Sequence, residues 1–271
     1  MILGLLRASH PEPGAAVTVV AAVLAVACQR GAAGTALVAA TIGASQLAVG
    51  WSNDAIDAPR DAAVGRTDKP IATGEVSRRA VAIAAAVAVA ATVGLAALSG
   101  AAGGLAVVAL VSALLYNWPL KGTVVSVLPY AVSFAALPAF VVLGRPAAPV
   151  PPWWLLAAGA LLGSGAHFAN ALPDLADDTR TGVRGLPHRL GRGGSQLAAA
   201  GLLLAATAVL AFGPPGRTGW FGVLAFLAAA VVLPLGWYAE RRGNGSRAAF
   251  RAVLVVALID VGLFLAAGLS V

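Results

Sequence analysis

The sequence predicts an all-α, multi-pass membrane protein with nine transmembrane helices, formed by a single domain that covers residues 1–271. Of the 271 residues, 59% are hydrophobic and 11% are charged, whereas soluble domains contain roughly 45–50% apolar and about 25% charged residues. The apolar residues also form continuous segments near the roughly 17–25 residues that a helix needs to cross the hydrocarbon of a bilayer. Both observations exclude an ordinary soluble domain.

Nine apolar segments are predicted to cross the membrane, and turn-forming or charged residues separate them. Arg30 and Gly31 end the first segment, a Gly-rich turn joins the third to the fourth, and a Pro-rich turn at 146–152 separates the fifth from the sixth. Residues 53–78 and 170–193 are too polar to cross a bilayer and are predicted as loops, the first of them containing helix. The predicted spans, which follow a short leader at 1–14, are 15–29, 34–52, 79–99, 102–117, 124–143, 153–169, 194–212, 219–239 and 248–269.

An acidic motif follows the second predicted span. Asn53, Asp57 and Asp61 are spaced four residues apart, so on a helix their side chains lie on one face, with Asp54 beside them. Carboxylates this close together repel one another, which is costly unless a cation lies among them. Mg²⁺ takes oxygen ligands from one or two carboxylates when it also holds a phosphate. The motif therefore indicates a magnesium site.

The same spacing occurs again after the sixth predicted span. Asn170, Asp174 and Asp178 lie four residues apart, and Asp177 precedes the last of them. Two acidic motifs, each followed by cations, suit a diphosphate that metal ions bridge and that basic side chains hold by its outer oxygens. The basic residues that follow the two motifs are Arg66, Lys69, Arg180 and Arg184.

The distribution of charge predicts the orientation in the membrane. Of the 18 Lys and Arg residues, only Arg30, Arg145 and Arg217 lie in the loops of one side, and the other fifteen lie on the side that holds both acidic loops. The positive-inside rule places that side in the cytoplasm. We therefore expect a cell-membrane protein with its N-terminus and Asp-rich loops in the cytoplasm and its C-terminus on the opposite side. Because the basic residues lie between spans, the net charge of +7 does not indicate nucleic-acid binding.

Both motifs and their flanking residues resemble the UbiA superfamily of intramembrane prenyltransferases. The first motif continues into Arg66-Thr67-Asp68-Lys69-Pro70, and the second into Gly182-Val183-Arg184-Gly185-Leu186-Pro187. The segment Tyr116-Asn117-Trp118-Pro119-Leu120-Lys121 resembles the connection after the fourth helix of that superfamily. Motif order, span number and loop positions agree over the whole chain. One departure is Gly185, where many members carry Thr.

The resemblance implies a helical bundle around a central cavity, with a cytoplasmic cap formed by the two Asp-rich loops. It also implies Mg²⁺-dependent transfer of a prenyl group from an isoprenoid diphosphate to a small aromatic or lipophilic acceptor, within membrane lipid. By motif match, the metal ligands would be Asn53, Asp54, Asp57, Asp61, Asn170, Asp174 and Asp178. The carboxylates with a catalytic role would be Asp57, Asp61, Asp174 and Asp178. The diphosphate would contact Arg66, Lys69, Tyr116, Lys121, Arg180 and Arg184.

Two alternative functions share these sequence features. A membrane terpene cyclase of the same superfamily would ionise the same diphosphate without an acceptor, and the metal motifs do not separate the two reactions. A transporter or other non-enzymatic membrane protein fits less well, because transporters carry charges near the bilayer midplane, and Asp260 is the only acidic residue deep within a predicted span. His10, His167 and His188 lack metal-ligand spacing and are interpreted as ordinary structural residues. The motifs do not encode the acceptor, the prenyl chain length or the oligomeric state.

Overall fold

The computed structural model describes residues 1–145, 149–215, 219–242 and 248–268, and every regular element in this part of the chain is helical. The all-α class is thereby confirmed, and each predicted span lies on a helix. Two short 3₁₀ turns, Gly100–Ala102 and Leu120–Gly122, flank the fifth helix. The α-helices are α1 Ile2–Ala8, α2 Pro11–Ala27, α3 Gly31–Ala63, α4 Arg78–Ala97, α5 Gly103–Asn117, α6 Leu128–Leu143, α7 Trp153–Ala171, α8 Leu175–Arg180, α9 Leu186–Phe212, α10 Trp220–Arg241 and α11 Ala248–Gly268.

Several helices are long and apolar enough to cross a membrane. The α1–α2 pair, bent by 67°, meets this requirement jointly, and α6 is a shorter apolar helix. The crossing of the bilayer by all nine predicted spans stays a prediction. Within the described ranges, the five segments that meet the requirement individually are Gly31–Ala63, Arg78–Ala97, Gly100–Asn117, Leu186–Phe212 and Trp220–Ala239.

The first acidic motif lies on a membrane-length helix and not in a separate loop. Helix α3 runs without a break over Gly31–Ala63, whereas the sequence predicted that the span ends at residue 52 and that a polar loop containing helix covers 53–78. Asn53 donates a hydrogen bond to Asp57 one turn later, with 3.2 Å between Nδ2 and Oδ2, and the alanines around them favour a helix. The predicted boundary between span and loop is therefore displaced by about three turns, to Val64.

Two further boundaries differ from the sequence prediction. Residues 1–14, predicted as a leader, contain α1 and the start of α2, because Pro11 is favoured in the first turn of a helix. Helix α9 begins at Leu186, inside the predicted loop at 170–193, and is interrupted at Gly191, whose φ of 68° lies in the left-handed region. The polar segment after α7 therefore carries two short helical pieces, α8 and the first residues of α9.

The bundle brings α6, α7 and α9 side by side, and α3 packs against α2 and α4. A Cβ atom added at Gly163 of α7 would lie 2.6 Å from the carbonyl oxygen of Tyr130 of α6, so the glycine allows the two backbones to approach closely. Small residues at helix contacts are typical of membrane bundles. This contact fixes α7 against α6 just before the turn that carries Asn170. Large side chains buried in the bundle include Leu24, Val38, Phe140 and Leu155.

Candidate functional site

A cavity of about 380 Å³ lies within the bundle, among α2, α3, α5, α6, α7 and the start of α9. Residues from both acidic motifs line it, together with apolar and aromatic side chains. It therefore combines oxygen ligands and a cation with an apolar wall in one space. Its polar residues include Asn53, Lys121, Asn170, Asp174, Asp178 and His188. Its apolar and aromatic residues include Val17, Val49, Tyr116, Tyr130 and Phe134.

Within the first motif, the carboxylate of Asp57 makes contacts with three polar side chains. Its Oδ2 accepts hydrogen bonds from Nζ of Lys121 at 2.8 Å and from Nδ2 of Asn53 at 3.2 Å. Its Oδ1 forms an ion pair with Arg60 one turn along α3. Burial of an ionised carboxylate is costly unless it is paired and hydrogen-bonded. These contacts therefore hold a charged Asp57 next to Asn53, which lines the cavity.

Asp54 is not among the cavity-lining residues, although the sequence grouped it with the metal ligands. Only 2% of the residue is exposed, and its Oδ1 lies 2.8 Å from Nζ of Lys69 and 3.0 Å from Nε2 of His10. Adjacent residues of a helix point about 100° apart, because one turn takes 3.6 residues. When Asn53 faces the cavity, Asp54 is turned toward Lys69 and the start of α2. Lys69 is thereby engaged in a largely buried ion pair.

The second motif is divided between two helices. Asn170 lies in the last turn of α7, Asp174 caps α8, and Asp178 lies within α8. Pro173 has no N–H to continue the α7 hydrogen-bond pattern, so the chain turns there. The amide of Asp178 nonetheless donates to the carbonyl of Asp174 at 2.9 Å. The four-residue spacing thus brings all three side chains to the cavity without one continuous helix.

Two cations join the two motifs. Nη1 of Arg66, which follows the first motif, lies 2.9 Å from Oδ1 of Asp174 in the second, although 108 residues separate them. Nζ of Lys121, which pairs with Asp57, also lies 3.8 Å from Oδ1 of Asp178. The structure therefore brings together two of the predicted cations and carboxylates from both predicted motifs.

Arg66 is further fixed by a second carboxylate. Its Nε and Nη2 atoms donate to the two oxygens of Asp68, each at 2.7 Å. Paired hydrogen bonds of this kind orient a guanidinium strongly. They lower the pKa of Asp68 to about 2, and Asp68 together with Asp174 raises the pKa of Arg66. Asp68 therefore stays ionised at neutral pH and holds the guanidinium toward Asp174.

Seven predicted site residues do not line the cavity, namely Asp54, Asp57, Asp61, Arg66, Lys69, Arg180 and Arg184. Asp61 is partly buried on α3, where the charges that act on it include those of Lys69, Asp54 and Arg66. Arg180 is mostly exposed and pairs with Asp177 within α8. Arg184 is also exposed, and its carbonyl oxygen accepts a hydrogen bond from Nε of Arg189 at 3.2 Å.

Tyr116 does line the cavity, where its ring forms part of an aromatic wall. The ring meets that of Tyr130 edge to face, with centroids 4.9 Å apart. Tyr130 in turn stacks on Phe134, with centroids 6.3 Å apart. The aromatic residues of α5 and α6 therefore form a continuous surface beside the second motif.

The sequence interpretation missed three histidines that line this cavity, His10, His167 and His188. His188 lies in the first turn of α9, with its Nε2 3.3 Å from Oδ2 of Asp178. His167 precedes Asn170 by three residues, a spacing that puts both side chains on one face of α7. This spacing from Asn170 could have indicated that His167 lies near the site. The histidines were instead judged only by their spacing from one another, which does not match that of metal ligands.

Gly185, the departure noted in the sequence, allows two parts of the site to meet. A Cβ atom at this position would collide with the backbone oxygen of Lys121, and it would lie 3.2 Å from Oγ of Ser126. The absence of a side chain lets the start of α9 lie directly against the turn that carries Lys121. The distance between Lys121 and the second motif therefore depends on this glycine.

Comparison with known proteins identifies the family and the fold. The sequence profile of the UbiA prenyltransferase family matches residues 14–266. No protein of established, curated function matches the chain.

Several solved structures have a similar fold over nearly the whole of both chains. The chain is similar to a UbiA homologue from Aeropyrum pernix K1 in its apo form, with 20% identity, a TM-score of 0.70, and coverage of 100% of this chain and 98% of that one. A UbiA homologue from Archaeoglobus fulgidus, bound to GPP and Mg²⁺, is 17% identical with a TM-score of 0.72, covering 99% and 100%. A digeranylgeranylglyceryl phosphate synthase is 14% identical with a TM-score of 0.72, covering 100% and 99%. These likenesses establish the fold over the full length.

Proposed function

Because the chain belongs to the UbiA prenyltransferase family, we propose that it transfers a prenyl group from an isoprenoid diphosphate to a small aromatic or lipophilic acceptor within the membrane. The observation that carries this proposal is the joining of the two acidic motifs by Lys121, which lines the cavity, and by Arg66, which pairs with the cavity-lining Asp174. The Archaeoglobus homologue, whose structure contains GPP and Mg²⁺, has the same fold and supports this assignment.

The oxygens at this cavity fit a hard divalent cation. In the described residues, no three His, Cys, Asp or Glu side chains lie close enough together to hold a metal ion by themselves. Mg²⁺ bound with a phosphate needs only one or two carboxylates, since phosphate oxygens and water complete its coordination. The residues that would hold it are Asn53 and Asp57 from the first motif, and Asn170, Asp174 and Asp178 from the second.

Bound Mg²⁺ would supply positive charge to the diphosphate and make it a better leaving group. Lys121 and Arg66 are placed to contact its outer oxygens, because both already lie within ion-pair distance of the motif carboxylates. Charge accumulates on these oxygens as the bond between the prenyl C1 and the diphosphate breaks. The two cations would therefore stabilise the transition state more than the bound substrate.

The apolar wall of the cavity suits the other half of the reaction. As the C1–oxygen bond breaks, its electron pair leaves with the diphosphate and C1 gains cationic character. A nucleophilic carbon or oxygen of the acceptor then bonds to C1 and loses a proton. Val17, Val49 and Phe134 line the space in which this would happen, and apolar residues exclude the water that would otherwise capture the cation.

Product analysis tests the proposal directly. Purified protein in lipid nanodiscs is incubated with Mg²⁺ and prenyl diphosphates of several lengths, with and without a mixture of aromatic and lipophilic acceptors. We expect prenylated acceptor and inorganic diphosphate only when an acceptor is present. A cyclised hydrocarbon formed without acceptor would identify a terpene cyclase instead. Absence of any turnover across all lengths would contradict the enzymatic assignment.

A further inference from the structure

A second cleft, with a volume of about 560 Å³, adjoins the catalytic cavity. Asn117 and Lys121 line both spaces, so the end of α5 and the 3₁₀ turn after it lie between them. We call this space the basic cleft, because Arg60, Arg78 and Lys121 line it and, in the part of the chain that the structure describes, no carboxylate does. The reaction described above gives the basic cleft no role.

The basic cleft keeps a positive charge despite the ion pairs of its cations. Arg60 and Lys121 share the carboxylate of Asp57, and Nζ of Lys121 also lies 3.8 Å from Oδ1 of Asp178. Nε of Arg78 donates to a backbone carbonyl oxygen of α3 at 2.7 Å, and this oxygen carries no full charge. Among the described residues, three cations thus meet two carboxylates here. Because a cleft lined by charge of one sign attracts ions of the other, the basic cleft favours an anion.

The basic cleft also continues toward the outside of the protein. A neighbouring outer groove shares Arg60 and Thr181 with the cleft and is lined by Arg180 as well. The exposed fraction of the cationic side chains rises in this order, from 18% for Lys121 to 31% for Arg60 and 67% for Arg180. Cations therefore follow one another from the catalytic cavity to a side chain that is mostly exposed.

One product of the proposed reaction is an anion that has to leave by a polar route. When the C1–oxygen bond breaks, the diphosphate keeps the electron pair and separates from the hydrocarbon chain. The prenylated acceptor can remain in lipid, whereas inorganic diphosphate cannot, because burying a charged group in an apolar medium is very costly. Guanidinium groups suit its oxygens, since they present paired N–H donors to phosphate.

We propose that the basic cleft binds inorganic diphosphate on its way from the catalytic cavity to water. Lys121 lies at the wall that the two spaces share, and Arg78 and Arg60 hold the anion in the cleft. Arg180 lies at the outlet. This proposal rests on the proposed function for the origin of the diphosphate, but binding in the cleft can be measured apart from turnover.

Gly122 offers a way to change the charge of the basic cleft while keeping all of its cations. It lines the cleft, and a Cβ atom added to it would meet no atom of the described residues within 4 Å beyond its chain neighbours. The test therefore compares Gly122→Glu, which adds a carboxylate, with Gly122→Gln, which adds a side chain of the same size without charge.

Binding is measured on protein in nanodiscs that is first saturated with Mg²⁺ and tritiated, non-hydrolysable geranyl thiolodiphosphate, so that the catalytic cavity is occupied. Titration with ³²P-labelled inorganic diphosphate then reports a further site, and retention of tritium shows that the analogue is not displaced. We expect the loaded parent and Gly122→Gln to bind diphosphate, and Gly122→Glu to bind it about tenfold more weakly.

A second pair of variants tests the cations themselves. Arg78→Gln should weaken diphosphate binding to the loaded protein about tenfold, because it removes a charged donor from the cleft. Arg79→Gln is the matched control, since Arg79 is the next residue of α4 and does not line the cleft. It should bind diphosphate as the parent does, and Arg78→Lys, which keeps the charge, should retain most of the affinity.

A single-turnover measurement tests whether the diphosphate leaves through the basic cleft. Prenylated product is quantified by rapid quenching, and released diphosphate is followed with pyrophosphatase and a phosphate sensor. The interval between formation of the product and release of diphosphate should lengthen about tenfold in Gly122→Glu, because the added carboxylate repels the anion. Gly122→Gln should show the parental interval.

Several results would overturn the proposal. A loaded parent that binds no further diphosphate is the first, and equal binding by Gly122→Glu and Gly122→Gln is the second. Loss of binding in Arg79→Gln as complete as in Arg78→Gln would show only a general effect of surface charge. An unchanged interval in Gly122→Glu would show that the diphosphate leaves by another route.

Failure of the proposed function gives a different result, because the parent itself then does not retain Mg²⁺ and the thiolodiphosphate. Titration of the protein without the analogue tests the basic cleft in that case. Diphosphate binding that Gly122→Glu removes and Gly122→Gln keeps would still establish an anion site, and its role in product release would be wrong.

Discussion

The Nζ atom of Lys121 lies 2.8 Å from Oδ2 of Asp57 and 3.8 Å from Oδ1 of Asp178, so one cation faces carboxylates of both acidic motifs. The 3₁₀ turn Leu120–Gly122 carries this lysine, and Gly185 lets the start of α9 lie directly against the turn. The lysine therefore lies between the two motifs, and under the proposed function it would contact the outer oxygens of a bound diphosphate.

Lys121→Ala should weaken diphosphate binding and slow turnover together, by about 100-fold in turnover, because under the proposed function the ammonium would contact both the substrate and the developing charge. Raising Mg²⁺ should not restore this variant, since the missing charge is not a metal ligand. Asp61→Ala should be partly restored by Mg²⁺ if Asp61 supports the metal. The measurement is turnover and apparent diphosphate affinity across a Mg²⁺ titration. If Lys121→Ala has the same turnover and diphosphate affinity as the parent at every Mg²⁺ concentration, Lys121 is not part of the site.

Asp57→Ala and Asp174→Ala should each lower turnover by about a thousandfold, because each loses a carboxylate that would hold the metal ions activating the leaving group. Asp177→Ala is the matched control. Asp177 lies in the same short helix as Asp178 but pairs with Arg180 instead of lining the cavity. We expect Asp177→Ala to retain near-parental turnover. Thermal unfolding of all three purified variants checks that they are folded, and normal activity of Asp174→Ala would contradict the metal assignment.

Asp54→Ala should reduce stability and leave Mg²⁺ affinity nearly unchanged. The substitution removes the partner of Lys69, a side chain with 14% exposure, and breaking a buried ion pair costs about 3 kcal/mol. The readouts are the thermal unfolding midpoint in nanodiscs and the Mg²⁺ dependence of diphosphate binding. If Asp54→Ala loses Mg²⁺ affinity but keeps its stability, Asp54 is a metal ligand, as the sequence motif predicted.

The orientation in the membrane is tested by reporters at two positions. A tag inserted after Gly65, in the segment that follows the first motif, should face the cytoplasm. A tag after Val271, which lies outside the described residues, should face the opposite side if all nine predicted spans cross the bilayer. Labelling with a membrane-impermeant reagent in intact and permeabilised cells distinguishes the two. If both tags faced the same side, the chain would cross the bilayer an even number of times between them, and the predicted number of spans would be wrong.

Local sequence patterns predicted the helical class and the chemical character of the site, because apolar length and four-residue spacing depend only on neighbouring residues. They could not predict where α3 ends. The polar residues after 52 were interpreted as a separate loop containing helix, whereas α3 continues through them to Ala63, with an ion pair and a hydrogen bond between its side chains. Nor could they show that Asp54 and Lys69 pair behind the cavity wall, since this depends on how α3 is rotated. Nor could they show that His167 contacts Ser126, which is distant in sequence.

The length of α3 has a consequence for where the reaction takes place. A helix of 33 residues is about 50 Å long at 1.5 Å per residue, whereas the hydrocarbon core is about 30 Å thick. Asn53 lies about 33 Å from the start of the helix by the same rise. If α3 crosses the bilayer from its first residue, its length places the first acidic motif near the edge of the hydrocarbon. An inserted helical turn before Asn53 would raise the charged end of the substrate into water while its hydrocarbon tail remained in the bilayer.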